Sequence, residues 1–249
     1  MNLCTDQLAM LVAAKGQLIS VSDVTFDPLS SAMSDEARSY VKNHGLAEEI
    51  YLMKPDLVLA NRYSNRATVS MLRRLGIAVE SVDVARSLED IPDLMAQVGA
   101  ALHREARAAT LVAKFNARLA RLRAEVSTRP RAALYYANGY TLGDGSLSGQ
   151  ILLAAGFANL ATEAGITTSG ILPLEVLAMR APEALITGSK YPGASRSEDI
   201  LDHPVVETLR QRLPWASVSS RDWICGTPHV LRTVEEMARL RREMQAGGE

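Results

Sequence analysis

Between Ala101 and Val126 the apolar residues Leu111, Phe115, Leu119, Leu122 and Val126 recur at steps of four, four, three and four, which traces one stripe along a helix. The other faces are charged, with Arg104, Arg107, Lys114, Arg118, Arg121 and Arg123 set among Glu105 and Glu125, and no proline occurs between Asp93 and Arg129. The pattern predicts a helical segment from Ser87 to Thr128 whose long part, Leu102 to Val126, would run roughly 37 Å at 1.5 Å per residue. Ser87 is the candidate N-cap, with Glu89 and Asp90 adding negative charge to the first turn. Gly99 is the expected break between a shorter and a longer helix, and Arg129-Pro130 is the stop.

Short apolar runs alternate with helical patterns on both sides of this segment. Upstream, Thr5 caps an expected helix over Asp6–Ala14, Gln17–Val21 reads as a strand, and a turn-rich stretch holds one short helix near Met33–Arg38. A helix ended by Pro55 feeds the strand Asp56–Ala60, then come a helix over Asn65–Leu75 and a strand over Ile77–Val82. Downstream, strands are expected at Arg131–Tyr136, Ala184–Thr187 and Ala216–Val218, and helices at Ser148–Ala155, Pro173–Arg180, Pro204–Leu213 and Pro228–Gln245. Glu48 to Leu59 is loosely echoed by Glu175 to Ile186: each opens on a glutamate, closes before a proline and enters a buried strand. The alternation predicts an α/β fold of two Rossmann-like lobes with parallel sheets, residues 1–86 and 130–249, joined by a connector helix segment over 87–129.

Composition narrows the classes. A chain of 249 residues with 47% hydrophobic and 22% charged residues is globular, and no apolar run reaches the ~20 residues that span a bilayer. A formal net charge of −1 lacks the basic excess of a nucleic-acid binder. No secretory signal precedes Asn2–Gln7, which reads as a loop between a strand and a helix; the expectation is a start cut away from that strand. Two cysteines, Cys4 and Cys225, permit one disulfide and do not by themselves set the redox compartment.

No constellation for catalysis stands out. Gly145-Ser146-Leu147-Ser148-Gly149 has leucine where a nucleophile elbow needs serine, and no phosphate loop or dinucleotide glycine pattern occurs. His203 and Glu207, at i and i+4, read as a surface pair before they read as metal ligands. In open α/β sheets ligands gather beyond the carboxyl ends of the strands, so Cys4, Thr5, His44, Arg62 and Tyr63 should form one rim and Asn138, Tyr140, Trp223 and Cys225 another. Tyr135 and Trp215 read as core anchors.

Together the loop-helix Asn2–Ala14, the segment Gly45–Ala60, the connector, the segment Glu175–Thr187 and the Asp222-Trp223 loop carry a family likeness. The whole chain resembles the bacterial ABC-transporter substrate-binding proteins with a rigid helical backbone, which include periplasmic vitamin B12 and iron-siderophore receptors. The resemblance implies two lobes with a ligand held between them, small hinge movement, export to the periplasm, and one glutamate at each lobe tip that docks on arginines of the permease; Glu48 and Glu175 match. It implies no resident cofactor or metal, a monomer, and a ligand that is an iron-siderophore, cobalamin or haem. Against the family's pattern, both cysteines fall on loops expected to face the ligand. They pair, hold a soft metal, or stand as small lining residues, and the last is the expectation. The competing reading is a two-lobed α/β enzyme such as a tetrapyrrole chelatase, with His44 or Cys225 catalytic.

Overall fold

A computed structural model describes residues 1–190, 193, 195–218 and 220–246. The chain folds into two compact units: residues 1–85 with 89–116 and 224–228, and residues 86–88 with 117–223 and 229–249.

The first unit runs α1 (Leu3–Val12), β1 (Ser20–Ser22), α2 (Ser34–Ala37), β2 (Val41–Asn43), α3 (Ala47–Leu52), β3 (Leu57–Ala60), α4 (Arg66–Arg74), β4 (Ala78–Ser81), α5 (Asp90–Ala101) and the start of α6 (Glu105–Ala124). Its strands form two parallel pairs, β1 with β2 and β3 with β4. Asn2, not Thr5, caps α1: its Oδ1 accepts from the amides of Cys4 and Thr5 at 3.1 Å. Thr5 lies inside the helix, where its hydroxyl donates to the Asn2 carbonyl. Asp6 is buried, and its carboxylate takes the Ser22 amide at 2.7 Å, the hydroxyls of Ser22 and Thr25, and the chain's terminal ammonium. A carboxylate so placed is satisfied only while β1 stays against α1, so it locks that strand. Beneath the other strand pair, Ala47, Ile50, Val58 and Leu72 form an apolar cluster.

Gly99 is not a break. It lies buried inside α5, and a Cβ there would stand 2.5 Å from the Ala108 Cβ of α6. The small residue lets the two helices touch; the interruption falls at His103, in the left-handed region with φ 53°. The predicted stripe of α6 is present, with Phe115, Leu119 and Leu122 buried and Ala108 extending it.

The second unit contains the rest of α6, then β5 (Arg131–Tyr135), β6 (Tyr140–Leu142), α7 (Leu147–Ala154), β7 (Ala158–Asn159), α8 (Leu160–Glu163), β8 (Ser169–Ile171), α9 (Leu174–Arg180), β9 (Ala184–Gly188), α10 (Pro204–Arg212), β10 (Trp215–Val218) and α11 (Val230–Ala246). A four-stranded parallel sheet has the order β10-β9-β5-β7. The near-continuous apolar runs of β5 and β9 follow from burial on both faces. The short antiparallel pair of β6 and β8 was not legible in the sequence, because three-residue strands carry too little periodicity to register. Tyr135 is buried as expected among Leu160, Leu177, Leu185 and Val206. Trp215 is not a core anchor. It is 47% exposed and lies under the Arg210 guanidinium, 5.5 Å from the ring centre, because the edge strand β10 turns it outward.

Gly149 shows how closely this unit packs. A Cβ there would lie 2.0 Å from the Gly143 carbonyl oxygen, and backbone cannot give way as a side-chain tip can. Gly149→Ala is expected to cost about 3 kcal/mol and to lower the thermal midpoint by roughly 5–10 °C, read by calorimetry; an unchanged midpoint would mean that the turn before α7 is free to move.

Candidate functional site

At the carboxyl end of β3 the chain makes the loop 61–65, and hydrogen bonds hold it from both sides. Buried Ser64 donates its amide to the Asn61 carbonyl and receives the Asn61 amide on its hydroxyl oxygen at 3.0 Å. Asn61 Oδ1 accepts the Tyr63 amide, while its Nδ2 donates to Asn2 Oδ1 at 3.1 Å. Asn2 completes the circuit by donating its own Nδ2 to Ser64. Arg62, Tyr63 and Asn65 face water, Asn65 with its side chain on the amides of Ala67 and Thr68, and Tyr63 is 76% exposed. A loop braced in this way presents an aromatic face and a guanidinium with little ordering left to lose on binding.

Of the other residues expected on this rim, Thr5 is buried and turned into α1. His44 is exposed, with its amide on Glu49 Oε2 at 2.7 Å and its Nδ1 2.9 Å from Oε1. The Glu49 carboxyl sits below its ordinary range, first through the His44 amide and then through the ring.

Cys4 and Cys225 are not small unpaired lining residues: they form a disulfide, with Cα atoms 5.1 Å apart and a sequence separation of 221. The bond is internal to the first unit, since residues 224–228 belong to it. Gly226 seats the same segment, because a Cβ there would meet the Ala85 Cβ at 2.2 Å. Spacing alone left the pairing open, since nothing local brings the two residues together.

In the second unit the turn after β5 carries Asn138, exposed and left-handed at φ 56°, and Tyr140, which is 42% exposed at the start of β6. Trp223 is only 6% exposed, with Tyr136 edge-on at 6.1 Å between ring centres. Burial pushes the Tyr136 phenol well above its ordinary pKa, and that of Tyr135 rises through burial and then through the charge of Glu175. Tyr140 is therefore the exposed aromatic of this rim, while Trp223 is buried against Tyr136.

Glu48 and Glu175 lie exposed in the first turns of α3 and α9, and among the described residues neither joins an ion pair. One turn beyond each is a large exposed apolar side chain: Leu52, 76% exposed, and Met179, 84% exposed. Sequence reasoning singled out the glutamates and missed these partners, which the i, i+4 spacing could have indicated. His203 caps α10 by accepting the Val205 amide, and Glu207 pairs with Arg210 at 3.9 Å. Among the described residues no group of three or more His, Cys, Asp or Glu could hold a metal ion.

Residues 4–210 match the family described as periplasmic binding protein. The chain belongs to that family. A cobalamin-binding protein of Halobacterium salinarum is 32% identical over 202 residues, covering 78% of this chain and 54% of that protein. The chain thus spans about half the length of the curated relatives it matches. Among solved structures, the periplasmic haem-binding protein HutB of Vibrio cholerae is similar at a TM-score of 0.77 and 17% identity, covering 96% of this chain and 95% of that one. The periplasmic vitamin B12-binding protein BtuF of Vibrio cholerae matches at 0.70 and 18% identity, covering 98% and 96%. At these identities the two structures speak for the fold alone.

Replacing Cys4 and Cys225 by serine is expected to cost about 2–5 kcal/mol, since the closed loop is long. Denaturant unfolding with and without a reductant checks this. Equal midpoints would show that the first unit retains the 224–228 segment without the bond.

Proposed function

We propose that the chain is the substrate-binding component of an ABC importer, taking up a metal chelate or corrinoid and delivering it to the permease subunits. The observation that carries delivery is the recurrence, once in each unit, of an unpaired first-turn glutamate with an exposed apolar side chain one helical turn on. Rim carboxylates steer and orient an encounter with basic partner groups, and an apolar neighbour supplies area that stays buried once the partners meet. Ligand class is supported by the cobalamin-binding relative. Arg62 and Tyr63 in the first unit, and Asn138 and Tyr140 in the second, are exposed aromatic and polar groups of the kind a broad chelate requires. A disulfide suits an oxidising, extracytoplasmic compartment, as family membership does.

Titration of the purified protein with cyanocobalamin, haemin and a ferric hydroxamate, followed by absorbance, tests the binding half. At least one should saturate, and Tyr63→Ala with Tyr140→Ala should weaken it about tenfold or more, as expected for losing roughly 1.4 kcal/mol or more of aromatic contact. No saturation with any of the three, or affinity unchanged in the double variant, overturns that half. For delivery, Glu48→Gln with Glu175→Gln should leave affinity intact and abolish most uptake in a cell carrying the cognate permease. Undiminished uptake would sink the docking role.

A further inference from the structure

Residues 57–82 hold four arginines, Arg62, Arg66, Arg73 and Arg74, against one acid, Glu80, in a chain whose overall charge is −1. The structure gathers all four around one pocket of 540 Å3 between a face of α4 and the 61–65 loop, at the carboxyl ends of β3 and β4. Arg66, Val69, Ser70 and Arg73 fall at i, i+3, i+4 and i+7, so the helix turns a single face into it. Ser64 and Ser81 line the opposite side. Among the described residues none of the four guanidiniums joins an ion pair: Arg73 donates to the Val79 carbonyl, Arg74 to the Met71 sulfur, and Arg62 and Arg66 have no partner.

Stability of the helix does not account for this arrangement. Arg73 and Arg74 suit the carboxyl end of α4, but Arg66 is its first residue, where the helix dipole disfavours a cation. Four like charges around one pocket repel each other, and an anion between them reverses the sign of that energy. Guanidinium forks match the paired oxygens of carboxylate and phosphate. The loop that carries Arg62 is already braced by Asn2, Asn61 and Ser64, so one wall of the pocket is in place before anything binds.

We propose that this pocket is an oxyanion site which takes the phosphate or carboxylate groups of a small polyanion. The site stands on the first unit alone; only the identity of the molecule that bears the oxyanion rests on the binding-protein reading. Borne by the chelate itself, the group would select for anionic chelates; as a free anion it would occupy the rim separately.

The test is calorimetric titration of the full chain with inorganic pyrophosphate at low and at 0.3 M salt. Saturable binding that weakens with salt is expected. The triple variant Arg66→Gln, Arg73→Gln, Arg74→Gln should bind at least tenfold more weakly, while Arg38→Gln, at an exposed pair with Asp35, should match the parent. These side chains are exposed, so every variant should still unfold in one cooperative transition, with a midpoint within a few degrees of the parent's. No saturation by pyrophosphate, or a triple variant with the parent's affinity, overturns the proposal. Haemin, which carries two carboxylates, is then titrated with and without pyrophosphate. Competition supports an oxyanion borne by the chelate, and independent binding supports a free one. Chelate binding that fails altogether while pyrophosphate still binds would overturn the transport reading and leave the oxyanion site standing.

Discussion

The bond between Cys4 and Cys225 is the constraint on which the first unit depends. It joins the second residue of α1 to a segment 221 positions further along the chain, beyond most of the second unit's sequence. In the chain-entropy picture, closing a loop of this size removes roughly 5 kcal/mol of unfolded-state freedom. The segment is short and cannot hold itself in place by secondary structure. Gly226 supplies the second fixing point, because the missing side chain lets its backbone lie on Ala85 and Leu94.

From that anchor the rim geometry follows by short steps. The disulfide tethers the start of α1, and Asn2 caps the same helix. One Asn2 side chain also ties the 61–65 loop to the helix start through Asn61 and Ser64. Arg62 and Tyr63 are thus displayed by a chain of satisfied hydrogen bonds rather than by a free loop. The cost of binding is lowered because the ordering is done during folding. In the second unit buried Trp223 stands edge-on to half-buried Tyr136, and Tyr140 is the exposed aromatic. In the first unit the aromatic expected from sequence position, Tyr63, is on the surface, whereas in the second Trp223 is buried and Tyr140 is exposed.

Charge is distributed with similar economy. The net charge is close to zero, yet α4 and the 61–65 loop gather four arginines around one pocket, and the first turns of α3 and α9 each hold a glutamate without an ion pair among the described residues. Much of the remaining charge is held in ion pairs, among them Arg118 with Glu235 and Arg242 with Glu125, each 117 positions apart. Such exposed pairs contribute little to stability. Their effect is to leave the unpaired groups as the features that a ligand or partner senses from a distance.

By itself the sequence determined what depends on neighbours within a few positions. The 3.6-residue stripe of Phe115, Leu119 and Leu122, the helix expected over 65–75, the apolar strands expected at 56–60, 131–136 and 184–187, and the echo of Glu48 in Glu175 all rest on local periodicity, and the elements are found within a residue of those bounds. Family and fold class were legible because these local signals recur in order. Tertiary structure alone decided that Cys4 meets Cys225, that Gly99 is a helix contact rather than a break, and that Trp223 is buried while Trp215 is exposed. It also decided that four arginines, up to twelve positions apart, share one pocket. The reason is the same in each case: these outcomes turn on which distant backbone comes within van der Waals reach, and no residue's near neighbours carry that information.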